Sequence, residues 1–231
     1  MLIKKLKAKK IQNSKKEDAI KIILKTDNGK FDASAPSATS KGKYEVIDIP
    51  AEGIKASIDF ANKTLNKELK NFEINSFNDL ELLEDLLRQY DSSNNWEKIG
   101  GNLVIALEFA ILKALSKNNI WKFLNKDAKQ VPRPLGNVIG GGQHTKIKNP
   151  VDFQEFLLIS TNATNFTKAN QANIKVHELA EKEIRSKNKE FHGEIDYEGA
   201  WACNLSIYEI LDILRMLCNN VSRDFGFDIR I

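Results

Sequence analysis

Alternating apolar and basic positions open the chain. Lys4–Ile11 and Ile20–Lys25 interleave apolar residues with lysines, the pattern of a half-exposed β-hairpin. Phe31–Gly42 (FDASAPSATSKG) is rich in small and turn-forming residues and reads as a mobile loop. The period then lengthens. Ile54, Ile58, Ala61, Leu65 and Leu69 recur at helical spacing, as do Leu80, Leu83, Leu87 and Tyr90 behind a Ser76-x-x-Asp79 capping signal. Val104–Leu115 is apolar nearly all round, which predicts a buried central helix. A short helical turn is expected at Ile120–Leu124, and Asp127–Pro134 reads as a linker.

After that linker the pattern changes. Leu135–Ile139 and Phe153–Ile159 are short apolar runs and predict strands. A helix follows in which Phe166, Ala169, Asn173, His177, Ala180 and Ile184 share one face. A second helix starts at a Ser206-x-x-Glu209 capping box and buries Ile210, Leu214, Leu217 and Val221. Phe227–Ile231 reads as a last strand, so the expected order of this half is ββααβ.

Composition narrows the class. With 42% hydrophobic and 29% charged residues over 231 positions, the chain can bury a core and is not a disordered sequence. Its longest apolar runs, such as Leu103–Leu107, fall far short of the roughly 20 residues that a membrane-spanning helix needs. No sustained apolar stretch follows the lysine-rich Met1–Lys10, so no signal peptide is read and a cytoplasmic chain is expected. Cys203 and Cys218 alone build neither a disulfide framework nor a zinc site, and read as buried thiols.

Charge is unevenly spread. The first 30 residues hold ten lysines against Glu17, Asp18 and Asp27; the net +4 of the whole chain therefore hides a negative remainder. A basic arm raises the question of nucleic acid. The arm lacks arginine and the interleaved aromatics that stack on bases, so the sequence favours a solvated strand face.

Candidate chemistry gathers at four places. Ser37–Gly42 places hydroxyls, Ser40 among them, on the expected loop. Gly140-Gly141-Gly142-Gln143-His144 follows a strand, where glycines allow close backbone approach and aim the histidine. Gln154-Glu155 falls inside an apolar run, and a carboxylate there must be paired, protonated or bound. Asp196–Trp201 is an acidic, glycine-containing loop around Glu198. His177 reads as a packed core histidine and His192 as a surface one.

Taken in order, these segments resemble the enolase (phosphopyruvate hydratase) family. APSATSKGKYE resembles its P-S-G-A-S-T-G-x-x-E loop, and IGGNLVIALEFAILKA its G-(A/G)-N-A-x-x-(G/A)-x-S-x-A-x-A-x-A helix. PRPLGNVIGGGQHT is similar to P-x-P-x-x-N-x-x-x-G-G-x-H-A, DFQEFLLIS to D-(I/F)-Q-E-F-M-I, and YEGAWACNL to D-E-G-(G/A)-(F/W)-A-P-N-L. The resemblance implies an α+β N-terminal cap domain, a three-stranded sheet plus helices, over residues 1–127. An incomplete enolase-type (β/α) barrel, ββααβ, would occupy 128–231.

The implied activity is a lyase reaction of glycolysis, the reversible dehydration of 2-phosphoglycerate to phosphoenolpyruvate. By position, Ser40 corresponds to a loop ligand of a second Mg²⁺, and His144 to a substrate-binding histidine near the phosphate. Gln154 and Glu155 correspond to a substrate-contacting pair, Glu155 also catalytic, and Glu198 to the proton donor. Such a superfamily reaction uses a Lys or His base with one or two Mg²⁺ to stabilise the intermediate.

Four departures stand out. Asn13–Ala19 replaces the family's D-S-R-G-N-P-T, which helps build a dimer contact, so the resemblance does not carry a homodimer over. Ala38-Thr39 replaces Gly-Ala in the loop, and Tyr197 stands where the family has aspartate. The family pattern also continues into A-x-D-x-A, the first of the principal magnesium ligands, which lies beyond Ile231. The expectation is a truncated chain, inactive alone, whose metal ligands and base come from a separate or missing C-terminal half. The alternative is a noncatalytic enolase-like scaffold.

Overall fold

Three antiparallel strands in the order β1-β2-β3 begin the chain: β1 (Ile3–Gln12), β2 (Asp18–Thr26) and β3 (Gly29–Ser34). They belong to a computed structural model that describes residues 1–14, 16–36 and 42–231. By internal packing the chain forms two units, Met1–Ala128 and Lys129–Ile231. The third strand corrects the reading of Phe31–Gly42 as loop throughout. Phe31 and Ala33 alternate inward with Lys30, Asp32 and Ser34 outward, a two-residue period hidden by a turn-like composition. Ser40 and the rest of 37–41 lie outside the described residues, as does Lys15.

One face of this sheet packs on helix α4 (Gly101–Ser116), whose Leu103, Leu107, Ala110, Ile111 and Ala114 are buried against Leu6, Ile22, Leu24 and Phe31. The central helix is thus present, though Ile105 and Phe109 reach solvent. Helix α1 (Ile54–Phe60) continues through a π-helical turn, Ala61–Leu65, into α2 (Asn66–Glu68). That turn matters to β1. Asn62 accepts from Ala8 N (2.8 Å) and donates to Ala8 O (3.0 Å), and Asn66 accepts from Leu6 N (2.9 Å). Two asparagines thereby satisfy backbone groups that an edge strand would leave open.

Helix α3 (Leu80–Arg88) starts later than Ser76 would have it. Asp79, rather than Ser76, holds the turn: its carboxylate accepts from Asn75 N, Ser76 N and the Ser76 hydroxyl. Those bonds hold its pKa below the ordinary carboxylate value. Helix α5 (Ile120–Leu124) closes this unit.

The second unit carries a four-stranded sheet ordered β6-β4-β5-β7. Strand β4 (Leu135–Gly140) pairs antiparallel with β5 (Glu155–Ser160), and the two-residue β7 (Ile229–Arg230) adds antiparallel to β5. Strand β6 (Trp201–Ala202) runs parallel to β4, a pairing the sequence reading did not contain. Phe156 and Leu158 point into a core shared with α6 (Phe166–Lys187) and α7 (Ile207–Phe225). The Ser206–Glu209 capping box is complete. On α6 the buried stripe is Ala169, Ala172, Asn173, Val176, Ala180 and Ile184; Phe166 is exposed at the helix start.

Strand β5 begins two residues after the predicted start, leaving Phe153 exposed. Glu155 therefore sits at the strand's end, half-buried, and not within its body. No helix among the described residues is long and apolar enough to cross a membrane.

Candidate active site

His144, Gln154 and Glu155 hang from one end of the β4–β5 pair, and Glu198 stands on the loop before β6. After β4 the chain turns through Gly141 into a single 3₁₀ turn, Gly142–His144, which delivers the histidine. Glycine is required at two of these positions by what lies against them. A Cβ on Gly140 would stand 1.9 Å from Asp196 Oδ2, and one on Gly141 would stand 2.3 Å from the Val151 carbonyl. Backbone bonds Gly141 N to Gln154 O (3.0 Å) and Gly142 N to Val151 O (2.8 Å) tie the turn to the start of β5.

His144 is buried, 5% exposed, yet its Nδ1 has no hydrogen-bond partner among the described residues. It lies 3.8 Å from Glu155 Oε1 and 3.6 Å from Glu198 Oε1. Ligand atoms of all three groups fall within 4.8 Å of one another. Gln154 Nε2 donates to Glu155 Oε1 at 3.4 Å, so the four candidates of this unit, His144, Gln154, Glu155 and Glu198, are brought together.

The loop bearing Glu198 is held from two sides. Asp196 Oδ1 accepts from Glu198 N (2.8 Å) and Ala200 N (2.9 Å), an aspartate turn that closes the loop on itself. His177 bonds the Gly199 carbonyl through Nε2 at 3.0 Å and stacks on Trp201, whose indole donates back to the His177 carbonyl at 2.8 Å. The expectation of a packed core histidine is corrected here. His177 is only half-buried and supports the loop next to Glu198. The Tyr197 backbone amide donates to the His144 carbonyl (3.1 Å), joining the two loops directly.

Asn137, on β4, donates to Glu198 Oε2 at 3.1 Å and leaves Oε1 facing the histidine. Asp196 was read only as part of an acidic loop and Asn137 only as a motif position, neither with a role. The spacing Asp196-x-Glu198 was the available signal for the aspartate turn, and for Asn137 the asparagine of the P-x-P-x-x-N motif. His192 is exposed, and both cysteines are buried, Cys218 pushed up to about 11 by burial.

Two family models match the chain: the enolase N-terminal domain over residues 3–124 and the enolase C-terminal TIM barrel domain over residues 128–230. The chain belongs to the enolase family. Among curated enolases it is 34% identical to that of Methanosphaera stadtmanae over 229 residues, covering 97% of this chain and 54% of that protein. It is 32% identical to that of Methanothermobacter thermautotrophicus over 233 residues, covering 99% of this chain and 55% of the relative. The chain thus spans about half the length of the curated enolases it matches. The fold is that of an enolase N-terminal domain followed by part of the barrel domain, and the four-stranded sheet is open where a barrel would close.

The donor set of one imidazole and two carboxylates does not make a magnesium cage, since Mg²⁺ demands an octahedron of oxygens. What the arrangement offers is acid–base chemistry: two carboxylates and an imidazole converge beside the strand ends, where barrel enzymes place their chemistry.

Proposed function

We propose that these residues supply one wall of an enolase site, acting on 2-phosphoglycerate and phosphoenolpyruvate. The observation that carries the reading is the convergence of His144, Glu155 and Glu198 within 4.8 Å, with Gln154 beside them. The reaction removes a weakly acidic proton beside a carboxylate and then expels hydroxide. Hydroxide is a poor leaving group at neutral pH, so a positioned acid must protonate it. Glu198 takes that role: Asn137 and Asp196 fix it, and its other oxygen stays directed at His144. His144 and Gln154 hold substrate, and Glu155 shares in both binding and proton traffic.

Magnesium is assigned to groups other than this triad. By resemblance Ser40 contributes to the second ion, while the principal ligands and the base lie in sequence outside these 231 residues. The 231-residue chain alone is accordingly inactive in this proposal. A noncatalytic scaffold would leave a buried histidine and two glutamates converging without work to do.

The test is complementation. The chain is mixed with the part of the Methanosphaera stadtmanae enolase that it does not cover, and phosphoenolpyruvate formation is followed with millimolar Mg²⁺. Turnover by the mixture and by neither part alone supports the proposal. A physical complex without turnover supports the scaffold.

A further inference from the structure

The solvent face of the first sheet arranges its charges in a way the linear sequence did not reveal. Strand register places Lys5, Lys25 and Lys30 side by side across all three strands. The next row is Lys7, Ile23 and Asp32, and the third is Lys9, Lys21 and Ser34. Six of nine positions are lysine. The one carboxylate, Asp32, is engaged by Lys21 at 2.8 Å. Three pairs, Lys5–Lys25, Lys25–Lys30 and Lys9–Lys21, are like charges directly opposite one another, an arrangement that destabilises a sheet. Folding does not ask for it. A shallow hollow of about 580 Å³ lies over the first rows, walled by Lys5, Lys7, Lys25 and Lys30 with Ile23 at its floor.

We propose that this face binds the phosphate backbone of duplex nucleic acid without reading its sequence. Strands lie about 4.8 Å apart, so the first row sets three ammonium groups across roughly 10 Å. The first and third rows are four residues apart along the strands, about 13 Å, close to the roughly 12 Å width of the B-DNA major groove. Lysine rows at that separation face the two phosphate walls of one groove. Arginine and aromatic residues are missing from the face, and those serve base reading and stacking; phosphate contact needs neither. A lipid surface fits less well, because the face carries no exposed large apolar side chain to insert, Ile23 being half-buried. An acidic peptide added as a strand beside β1 fits less well too, since Asn62 and Asn66 already occupy that edge.

The experiment measures fluorescence anisotropy of labelled 20-base-pair duplexes of two unrelated sequences against the 231-residue chain. Anionic vesicles and a polyglutamate peptide run as separate arms. Five to six neutralised phosphates give a slope of about −5 in log K against log salt, hence a loss of about 10³-fold between 50 and 200 mM. Both sequences bind equally. Lys5→Gln/Lys25→Gln/Lys30→Gln removes repulsion and so keeps or raises the melting temperature, yet lowers the slope magnitude by about 3. Lys67→Gln/Lys70→Gln/Lys98→Gln, exposed lysines off the face, leaves the slope unchanged. Absence of duplex binding at 50 mM, equal loss in both triple variants, or tighter binding to vesicles or polyglutamate overturns the proposal.

Discussion

Oε1 of Glu198 stands 3.6 Å from Nδ1 of His144, inside ion-pair range but outside hydrogen-bond range. The pair comes from two loops that are themselves bonded, Tyr197 N to His144 O, and Asn137 holds the other oxygen of Glu198 at 3.1 Å. No atom fits between Oε1 and Nδ1 at 3.6 Å, but one substrate atom lying to the side can bond to both.

The histidine should therefore act through binding. In the complemented enzyme His144→Ala raises KM by about 10–100-fold, the worth of a lost hydrogen bond to a charged group, with much smaller change in kcat. Steady-state kinetics on 2-phosphoglycerate check this; an equal fall in kcat and kcat/KM would assign the histidine to the transition state instead.

Gly140 and Asp196 form a packing pair. Gly140→Ala places a methyl 1.9 Å from the buried carboxylate and should cost about 1–3 kcal/mol. Asp196→Ala loses two bonds to backbone amides and is destabilising by itself. Because the methyl then fills vacated space, the double variant should be less destabilised than the two losses added. Urea unfolding of the four proteins measures the coupling.

Glu108, on α4, gives the first unit a pH dependence. Burial raises its pKa to about 7, and the neighbouring carboxylate of Glu84 adds to the rise. The ordinary value is 4.5, so the folded state binds a proton that the unfolded state releases between those two values. Stability is full below pH 4.5 from this group and falls as pH rises through 7. Glu108→Gln should flatten that slope and raise the melting temperature at pH 8, while changing little at pH 4. Thermal unfolding across pH 4–8 decides it, and a wild-type slope retained in the variant would exclude the assignment.

Legibility in sequence followed how local each cause was. The Ser206–Glu209 box is settled within four residues, and it stands as read. The glycine run before His144 was visible, but its reason, the carboxylate of Asp196 and the carbonyl of Val151, comes from distant segments. Strand β3 was missed because its two inward residues, Phe31 and Ala33, are embedded in turn-forming composition. Helix α3 starts late because Asp79 accepts backbone amides before the helix, a choice between two cap residues that spacing alone does not make. Of the site, the family motifs marked His144, Gln154, Glu155 and Glu198. Its supports, Asn137, Asp196, His177 and Trp201, were visible as motif or helix-face positions, but the bonds that give them their part run between distant segments.

Glu198 is the proposed acid that lets hydroxide leave. Glu198→Gln keeps the side chain's size and can keep the bond from Asn137, so assembly with the complementing part should be intact. The decisive measurement is kcat of that variant in the assembled pair on 2-phosphoglycerate. A fall of about 10²–10⁴-fold with KM nearly unchanged is the predicted result. Full turnover in an assembled complex would contradict it.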